Sequence, residues 1–307
     1  MRCFKRVILL VCLFSASVFA GNDPNIIRIA MVSLKNFGQA KADDPPKLHF
    51  IADRIAEQAK CGVCAVDELQ DADGSAFITL QGAVCQSAGT QIAMALSARV
   101  GGSRKEQFGF FWNPQLVDKI VDVNVFYCDA IERDPAYATF KAKLGFDFTL
   151  CVFHTRPDSA PAELRSELEY LDEVFAAIQQ KDSSENDVIF LGDFNASPYI
   201  RPYQTCAIAD CIGPFAQFVH WVIRDVPTNV LQTKVYDNVF FDVRYTNNEY
   251  IPGGQNVIRV DQMWGDFTST DPTAPSDPAD RPKYLQMKVM DHCPVYAEFR
   301  ADVDDDD

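Results

Sequence analysis

Polar side chains stand at the ends of several apolar runs along this chain. The clearest case is the segment DVIFLGDFNASP, where four apolar residues lead to a carboxylate and an amide two positions apart, Asp193 and Asn195. Asp and Asn are common in turns, so this segment alone predicts a buried strand followed by a polar turn. Four other apolar runs meet ionisable residues in the same way: Glu68 after VCAVD, His154 after TLCVF, Asp237 before NVFFDV, and Asp291 with His292 before CPVYAEF.

The chemistry of these groups is complementary. Strands of one sheet deliver their ends to a common edge, so we expect the groups to converge. Glu68 and Asp291 offer the hard oxygen ligands that suit Mg²⁺ or Ca²⁺ better than zinc. His154 and His292 can serve as general acid and general base, each oriented by a carboxylate. With an Asp-Asn pair to position a phosphate or the attacking water, the set predicts metal-assisted phosphodiester hydrolysis.

Motifs of competing chemistries are absent. The sequence contains no strong zinc spacing, no GxSxG, no P-loop and no GxGxxG. Its 307 residues, 48% hydrophobic and 23% charged, are ordinary for a globular protein. Because neither a repeat nor a Pro/Gly/Ser-rich linker divides the chain, we expect one domain over residues 21–300. The segment Thr268 to Pro282, with four prolines and three aspartates, predicts a long surface loop.

The N-terminus predicts a targeting segment. Three basic residues precede an apolar run from Val7 to Phe14, and Val18-Phe19-Ala20 offers small residues at the cleavage-specifying positions. These features indicate a secretory signal peptide over residues 1–20. The apolar run is too short for a membrane anchor, which needs about 20 residues. We therefore expect a secreted, soluble protein without stable membrane association.

The charge of the chain is strongly negative. Removing the three basic residues of the signal takes the formal net charge from −15 to −18, and residues 301–307, ADVDDDD, form an acidic tail expected to be solvated. Such a charge argues against tight passive binding to nucleic acid, which depends on basic contacts. It leaves room for an enzyme that touches a phosphodiester locally through a few arginines and a bound cation.

Eight cysteines remain after removal of the signal, and export permits disulfides. Cys61 and Cys64 have the spacing of a redox or zinc pair. On a strand, however, residues three apart point to opposite faces, and we interpret Cys64 and Cys151 as buried apolar residues. Cys206 and Cys211 can close a local loop, and other pairings stay open.

Hydrophobic periodicity predicts the elements that position these groups. Helices are expected at Pro46–Lys60, at Gln86–Val100 and after Asp158, where Leu164 to Ile178 form an apolar stripe. Strands are expected at Ile26–Val32, Gly62–Val66, Phe108–Trp112, Leu116–Phe126, Thr139–Leu144, Asp147–Phe153, the VIFL run, Val239–Val243 and Pro294–Phe299. Runs that are apolar on both faces indicate sheets covered on both sides. The predicted fold is α/β (α+β), a four-layer sandwich of two packed, mostly antiparallel β-sheets flanked by helices.

The motifs, in this order, resemble the endonuclease/exonuclease/phosphatase superfamily and, within it, the secreted deoxyribonuclease I-like enzymes. The resemblance extends from about Ile27 to Phe299. It is carried by IRIAMVSLKNFG, VDELQD, RKEQFGFFWNP, ERDPAYATF, HTRPDSAPAEL, LGDFNASP, VYDNVFF and MDHCPV. GDFNA and DHxPV are specific when they occur together at this spacing.

The resemblance implies a role for each matched residue. His154 supported by Glu106, and His292 supported by Asp237, would form the acid–base pair. A divalent cation, Mg²⁺ and/or Ca²⁺, would lie at Glu68, with Asp291 as a further ligand. Asp193 and Asn195 would orient water and a phosphate oxygen. Arg133 and Arg104 would hold the backbone of duplex DNA, and the enzyme would act as a monomer.

Several positions depart from the family pattern. Ser33 stands where the first strand of the family ends on a metal-site asparagine, and its hydroxyl is a weaker ligand. Asp67 replaces a usual glutamine and adds negative charge beside Glu68. Gln70 replaces an arginine used on DNA, and the usual disulfide pairs are not reproduced.

Two alternatives follow. One is a sphingomyelinase-like phosphodiesterase of the same fold, which would need an apolar docking surface. The run Phe215 to Val222, FAQFVHWV, is a candidate, although a buried element is the simpler interpretation. The other is a secreted binding module with impaired catalysis, for which Ser33 and Gln70 are the supporting features.

Overall fold

The structure is a computed structural model. It describes residues 23–103, 105–181, 185–202, 204, 206–268, 271 and 273–304. The predicted signal peptide, Arg104 and residues 305–307 of the acidic tail lie outside this set.

Two sheets form the centre of the molecule. The first has six strands in the order β12-β13-β1-β2-β4-β3, and the second has seven, in the order β10-β11-β9-β8-β7-β5 with β6 paired to β7. Each sheet contains one parallel pair, β1 with β2 and β8 with β9, and the other pairs are antiparallel. The strand bounds are β1 Ile26–Phe37, β2 Gly62–Leu69, β3 Ala93–Leu96, β4 Gln107–Trp112, β5 Val117–Lys119, β6 Asn124–Val125, β7 Ala136–Ala142, β8 Asp147–His154, β9 Val188–Asp193, β10 Val219–Trp221, β11 Asp237–Asp242, β12 Tyr250–Val257 and β13 Val295–Arg300.

Helices cover the outer faces of both sheets. The α-helices of the described residues are α1 Gln39–Ala42, α2 Pro45–Ala59, α3 Ser75–Ala88, α4 Pro161–Leu168, α5 Leu171–Gln179, α6 Ile208–Cys211, α7 Trp264–Thr268 and α8 Arg281–Lys288. Short 3₁₀ turns occupy Gly213–Phe218, Val260–Gln262 and Pro278–Asp280. In the stretch of chain described here, no helix is long and apolar enough to cross a membrane.

The buried side chains separate into two groups that define the layers. One core contains the inner faces of both sheets together with α2 and α3, and includes Phe110, Phe140 and Phe148. The other contains α4, α5 and the outer face of the second sheet, around Phe175 and Phe190. The order helix, sheet, sheet, helix confirms the predicted four-layer sandwich.

The prediction of a helix at Gln86–Val100 is wrong. The helix is α3, which begins at Ser75. The Ser75 backbone N–H donates to Asp73 Oδ1 at 2.9 Å. It ends at Gly89, which has a φ of 65°. A left-handed residue favours glycine and ends a helix. The segment that follows pairs as β3 with the edge of the first sheet instead.

The strand predicted at Leu116–Phe126 is also wrong as a single element. Only β5 and β6 are extended, and residues 120–123 between them, of which Asp122 alone is charged, interrupt the ladder. These two strands pair with β7 of the second sheet, whereas β4 belongs to the first. The turn at Asn113 and Pro114 therefore carries the chain from one sheet to the other.

The remaining predicted elements agree within a few residues, except that β1 continues to Phe37, whereas the elements β10, β12, α1, α6, α7 and α8 were not predicted. The β7–β8 hairpin turns at Gly145, which has a φ of 141°. The stripe from Leu164 to Ile178 forms two helices, α4 and α5, rather than one. All eight cysteines beyond the signal segment are free thiols in the structure, so the bridge considered between Cys206 and Cys211 is not formed there.

Candidate active site

Strand ends from both sheets meet at one edge of the sandwich and line a cleft of about 240 Å³. The lining residues are Asn36, Glu68, Gln70, Glu106, Arg133, His154, Pro157, Asp193, Asn195, Asp291 and His292. Of the other predicted site residues, Asp237 and Ser33 are buried directly behind this surface and bond to His292 and Glu68. Arg104 lies outside the described residues.

Strand register places three of these side chains in one row. His154, the last residue of β8, is the parallel partner of Asp193, the last residue of β9. Asp193 is in turn the antiparallel partner of Asp237, the first residue of β11. Gly192 has a φ of 153°, and a Cβ there would overlap the backbone carbonyl of Phe153. Only glycine therefore lets β9 approach β8 this closely just before the catalytic row.

The first histidine is held from behind by a buried carboxylate. His154 Nδ1 lies 2.7 Å from Glu106 Oε1, and Glu106 is 3% exposed. Burial opposes protonation of His154, but the Glu106 carboxylate outweighs it and raises the pKa of the imidazole to about 10. Arg133 completes the arrangement, since its Nε donates to His154 O at 2.7 Å and lies 3.4 Å from Glu106 Oε1.

The second histidine repeats this arrangement from the opposite side. His292 Nδ1 lies 2.7 Å from Asp237 Oδ2, and both residues are buried. Burial alone would lower the pKa of His292, but Asp237 and Asp193 raise it well above its ordinary value. Each imidazole thus turns its Nδ1 to a carboxylate and leaves Nε2 toward the cleft.

Asp193 lies between the two imidazoles. Its Oδ2 is 3.6 Å from His292 Nε2 and 4.0 Å from His154 Nε2. Burial raises the pKa of Asp193, and the neighbouring His292 offsets part of that effect. Asp193 Oδ1 accepts the backbone N–H of Asn195 at 2.8 Å, and Asn195 adopts a φ of 47°. The Asn195 Nδ2 donates to Thr155 O at 3.1 Å, which fixes the amide beside the cleft.

The predicted cation ligands form the wall contributed by the first sheet. Glu68 has a φ of 55°, so its side chain turns out of the β2 ladder into the cleft. Its Oε2 accepts the Asn36 backbone N–H at 2.9 Å, and Oε1 accepts from Ser33 Oγ at 3.4 Å. Asp291 Oδ2 pairs with Lys35 Nζ at 2.7 Å.

The donor set fits a hard divalent cation. Asp291 Oδ1 is buried without a hydrogen-bond partner, and so are both oxygens of Asp67, which is 0% exposed. Burial raises the pKa of Asp67. Unpaired buried carboxylate oxygens are costly, and a cation is the natural partner for them. Within the described part of the chain, no group of three or more His, Cys, Asp or Glu stands at ready-made ligand spacing.

Sequence reasoning missed two lysines and an asparagine at this wall. Lys41, on the one-turn helix α1, donates to Leu34 O at 2.9 Å and to Val289 O at 2.5 Å, and so ties β1 to the segment before Asp291. Burial lowers the pKa of Lys41 to about 8, against the attraction of Glu68 and Asp291. Asn36 Oδ1 accepts from Gln70 Nε2 at 2.5 Å at the rim. Nothing in the local pattern of KNFGQAK distinguishes these side chains from surface residues.

The predicted DNA contact Arg133 is largely committed within the protein. Besides its bond to His154 O, it donates to Thr155 O, and its side chain is 15% exposed. It nevertheless lines the cleft.

Comparison with known proteins agrees with this geometry. The model of the endonuclease/exonuclease/phosphatase family matches residues 34–285. Human deoxyribonuclease-1 is 26% identical over 212 residues, which cover 65% of this chain and 70% of the relative. Bovine deoxyribonuclease-1 is 26% identical over 242 residues, covering 74% and 81%.

Solved structures show the same fold. The human Nocturnin catalytic domain with bound sulfate anion has a TM-score of 0.57 at 13% identity, covering 90% of this chain and 94% of that chain. At that identity the likeness concerns the fold alone. Taken with the family match over most of the chain, the carboxylate-backed histidines and the cation wall lead to one conclusion: the chain belongs to the endonuclease/exonuclease/phosphatase family and is a hydrolase of the nuclease or phosphodiesterase type.

Proposed function

We propose that this protein is a secreted, divalent-cation-dependent endonuclease that hydrolyses phosphodiester bonds of duplex DNA. The observation that carries the proposal is the symmetric pair of carboxylate-backed histidines, His154–Glu106 and His292–Asp237, on either side of Asp193. Two proton carriers on opposite sides of one carboxylate suit in-line displacement at phosphorus, in which one side accepts a proton from water and the other protonates the leaving oxygen. The choice of DNA rests on the deoxyribonuclease relatives.

The protein side chains divide the work. The Nε2 atoms of His154 and His292 face the cleft and exchange protons with the attacking water and the leaving oxygen. Asp193, buried between them, orients the water and stabilises whichever imidazole is protonated. Asn195 offers its amide to a non-bridging phosphate oxygen, because its orientation is fixed by the turn after β9.

Glu68 and Asp291 would hold the cation, which neutralises charge developing on the phosphate. Their oxygens favour Mg²⁺ or Ca²⁺ over softer metals. Ser33 would be a weak further ligand, since its hydroxyl already contacts Glu68 at 3.4 Å.

Contacts to DNA are proposed to be few and confined to the backbone. Arg133 at the cleft and Arg104 are the proposed phosphate contacts, and the formal net charge of −18 without the signal segment (−15 less three basic residues) argues against a wide electrostatic footprint. We propose that the protein acts as a secreted monomer without stable membrane association, with the N-terminal signal motif as the support for export.

The sphingomyelinase-like alternative receives little support from the Phe215–Val222 segment. Phe215 packs against Phe175, with ring centroids 4.9 Å apart, and Trp221 is 2% exposed. The segment is therefore part of the second core and does not form an apolar docking hairpin. The impaired binding module keeps its support from Ser33 and Gln70.

One experiment separates the three functions. Purified mature protein is incubated with supercoiled plasmid and Mg²⁺/Ca²⁺, and in parallel with sphingomyelin vesicles. The variants are His154→Ala and, as a matched control, His49→Ala, an exposed histidine on α2. Nicking that chelator and His154→Ala abolish, and that His49→Ala leaves unchanged, supports the nuclease. Lipid turnover alone would favour the sphingomyelinase-like enzyme, and inactivity on both substrates would favour the binding module.

A further inference from the structure

A buried threonine lies behind the second catalytic histidine, in the loop formed by residues 227–230. Thr228 is 0% exposed. Its Oγ1 accepts two backbone N–H groups, from Tyr236 and from Asp237, each at 3.0 Å. The hydroxyl therefore fixes the start of β11, where the carboxylate that supports His292 is attached.

The same loop also holds the segment that carries the imidazole. Thr228 O accepts the backbone N–H of Cys293 at 2.5 Å, Asn229 forms an isolated β-bridge with His292, and Val230 N donates to Asp291 O at 2.8 Å. The carboxylate and the imidazole come from positions 55 residues apart. The 227–230 loop connects their backbones, with Thr228 bonded to both sides.

An arginine clamps this loop from the far side. Arg259 Nη1 donates to Pro227 O at 2.7 Å, and Nη2 lies 3.4 Å from Asn229 O. Asp261, whose side chain is 6% exposed, pairs with Arg259 at 2.7 Å. The two carbonyls that flank Thr228 are thus bound to one planar guanidinium, whose fork geometry restricts the loop more than a lysine would.

We propose that Thr228, with its loop clamped by Arg259, is a positioning residue for the His292–Asp237 pair. The catalytic part of this inference rests on the proposed phosphodiesterase function, whereas the hydrogen bonds on which it is built do not. The hydroxyl of Thr228 holds the start of β11 and its carbonyl holds Cys293, so one residue links the two segments whose side chains form the 2.7 Å hydrogen bond. A displacement of about 1 Å at a catalytic group can cost about 100-fold in rate.

The test compares Thr228→Val, which removes the hydroxyl at equal shape, with Thr228→Ser, which restores it. Hydrolysis of bis(4-nitrophenyl) phosphate is measured with Mg²⁺. We expect Thr228→Val to lower kcat about 100-fold while KM changes less than about twofold, and Thr228→Ser to stay within about threefold of wild type. An unaltered kcat in Thr228→Val would overturn the inference.

Amide hydrogen exchange supplies a readout that does not require activity. In Thr228→Val the amides of Tyr236 and Asp237, which lose their hydroxyl acceptor, should exchange about tenfold faster than in wild type, and in Thr228→Ser they should not. Unchanged exchange in Thr228→Val overturns the inference whatever the activity. If the wild-type protein hydrolyses neither the ester nor plasmid DNA, the proposed function fails, and exchange still decides whether Thr228 orders the pair.

A second pair of variants covers the case in which Thr228→Val does not fold. Arg259→Met removes the clamp, and Arg300→Met is the matched control, because Arg300 Nη1 also donates to a backbone carbonyl, Asn248 O at 2.7 Å, at the opposite end of β13. We expect Arg259→Met to lower kcat and to speed exchange at Cys293, with no change in Arg300→Met. Equal effects in the two variants would reduce Arg259 to a general stabilising residue and contradict the inference.

Discussion

Replacing Glu106 by glutamine should separate proton transfer at His154 from the rest of the site. The substitution keeps the shape of a side chain that is 3% exposed and removes the charge 2.7 Å from His154 Nδ1. The rise in the pKa of His154 from 6.5 to about 10 corresponds to about 5 kcal/mol of preferential stabilisation of the imidazolium, at about 1.4 kcal/mol per pH unit. The Asp67 carboxylate also contributes to this stabilisation of the imidazolium. We therefore expect Glu106→Gln to lower the free energy of unfolding by about 1.5–3 kcal/mol, as for a buried charged hydrogen bond.

The pH dependence of this loss has a defined sign. The folded-state pKa of His154 lies above its unfolded value, so its contribution to stability is fully present below about pH 6.5. It disappears as the pH rises through about 10. The stability gap between wild type and Glu106→Gln should therefore be widest in mild acid and close in strong alkali.

Activity and NMR together test this reasoning. We expect plasmid nicking to fall roughly 100- to 1000-fold in Glu106→Gln, because a misoriented, less basic imidazole is a poor proton carrier. The imidazole resonance that His154→Ala removes should titrate closer to 6.5 in the variant. Glu298→Gln is the control, because Glu298 lies outside the cleft and its Oε1 pairs with Arg28 Nη2 at a distance of 2.6 Å. Wild-type nicking together with an unshifted His154 titration in Glu106→Gln would refute the role assigned to Glu106.

Further predictions concern the proposed cation ligands on the first sheet, near Glu68 and Asp291, and the β8–β9 contact. Ser33→Asn adds an amide oxygen beside Glu68 and should tighten Mg²⁺ binding about tenfold by calorimetry, and an unchanged affinity would show that this position does not reach the cation. Asp67→Asn removes a buried carboxylate that has no hydrogen-bond partner, so it should raise the melting temperature measured in chelator. It should also reduce the rise in melting temperature that Mg²⁺ causes. A lower melting temperature in chelator would contradict this. Gly192→Ala should destabilise the fold by more than about 3 kcal/mol in urea unfolding, because its φ is 153° and the new Cβ would overlap Phe153. Gly145→Ala, with a φ of 141° and open space around it, is the matched control and should cost about 1–2 kcal/mol; equal losses would leave strain alone as the cause.

Much of the site could be predicted because its residues sit at the ends of strongly apolar strands. The VIFLG run is buried along its whole length, and a strand buried on both faces must end where its polar residues begin. The same reasoning located His154 after β8 and Asp237 at the start of β11. Family motifs then supplied roles that composition alone cannot assign.

The secondary-structure predictions failed where pairing with a distant strand overrode the local preference of the sequence. The Gln86–Val100 segment is apolar enough for a helix, but its second half completes the edge of the first sheet as β3. Leu116–Phe126 has strand-forming residues, yet the strands it contains pair across the sandwich with β7. Both outcomes depend on which neighbour is within reach, and a window of sequence does not contain that information.

By itself the sequence determined which groups meet, because strand polarity and the 2-residue period of side chains bring polar termini to a common edge. The tertiary structure alone decided how they meet. It set Asp193 between two imidazoles, left the Asp67 carboxyl buried without a partner, and placed Thr228 behind the His292–Asp237 pair. Distances between residues far apart in the chain, and the burial that shifts their pKa values, arise only when separate segments pack against one another.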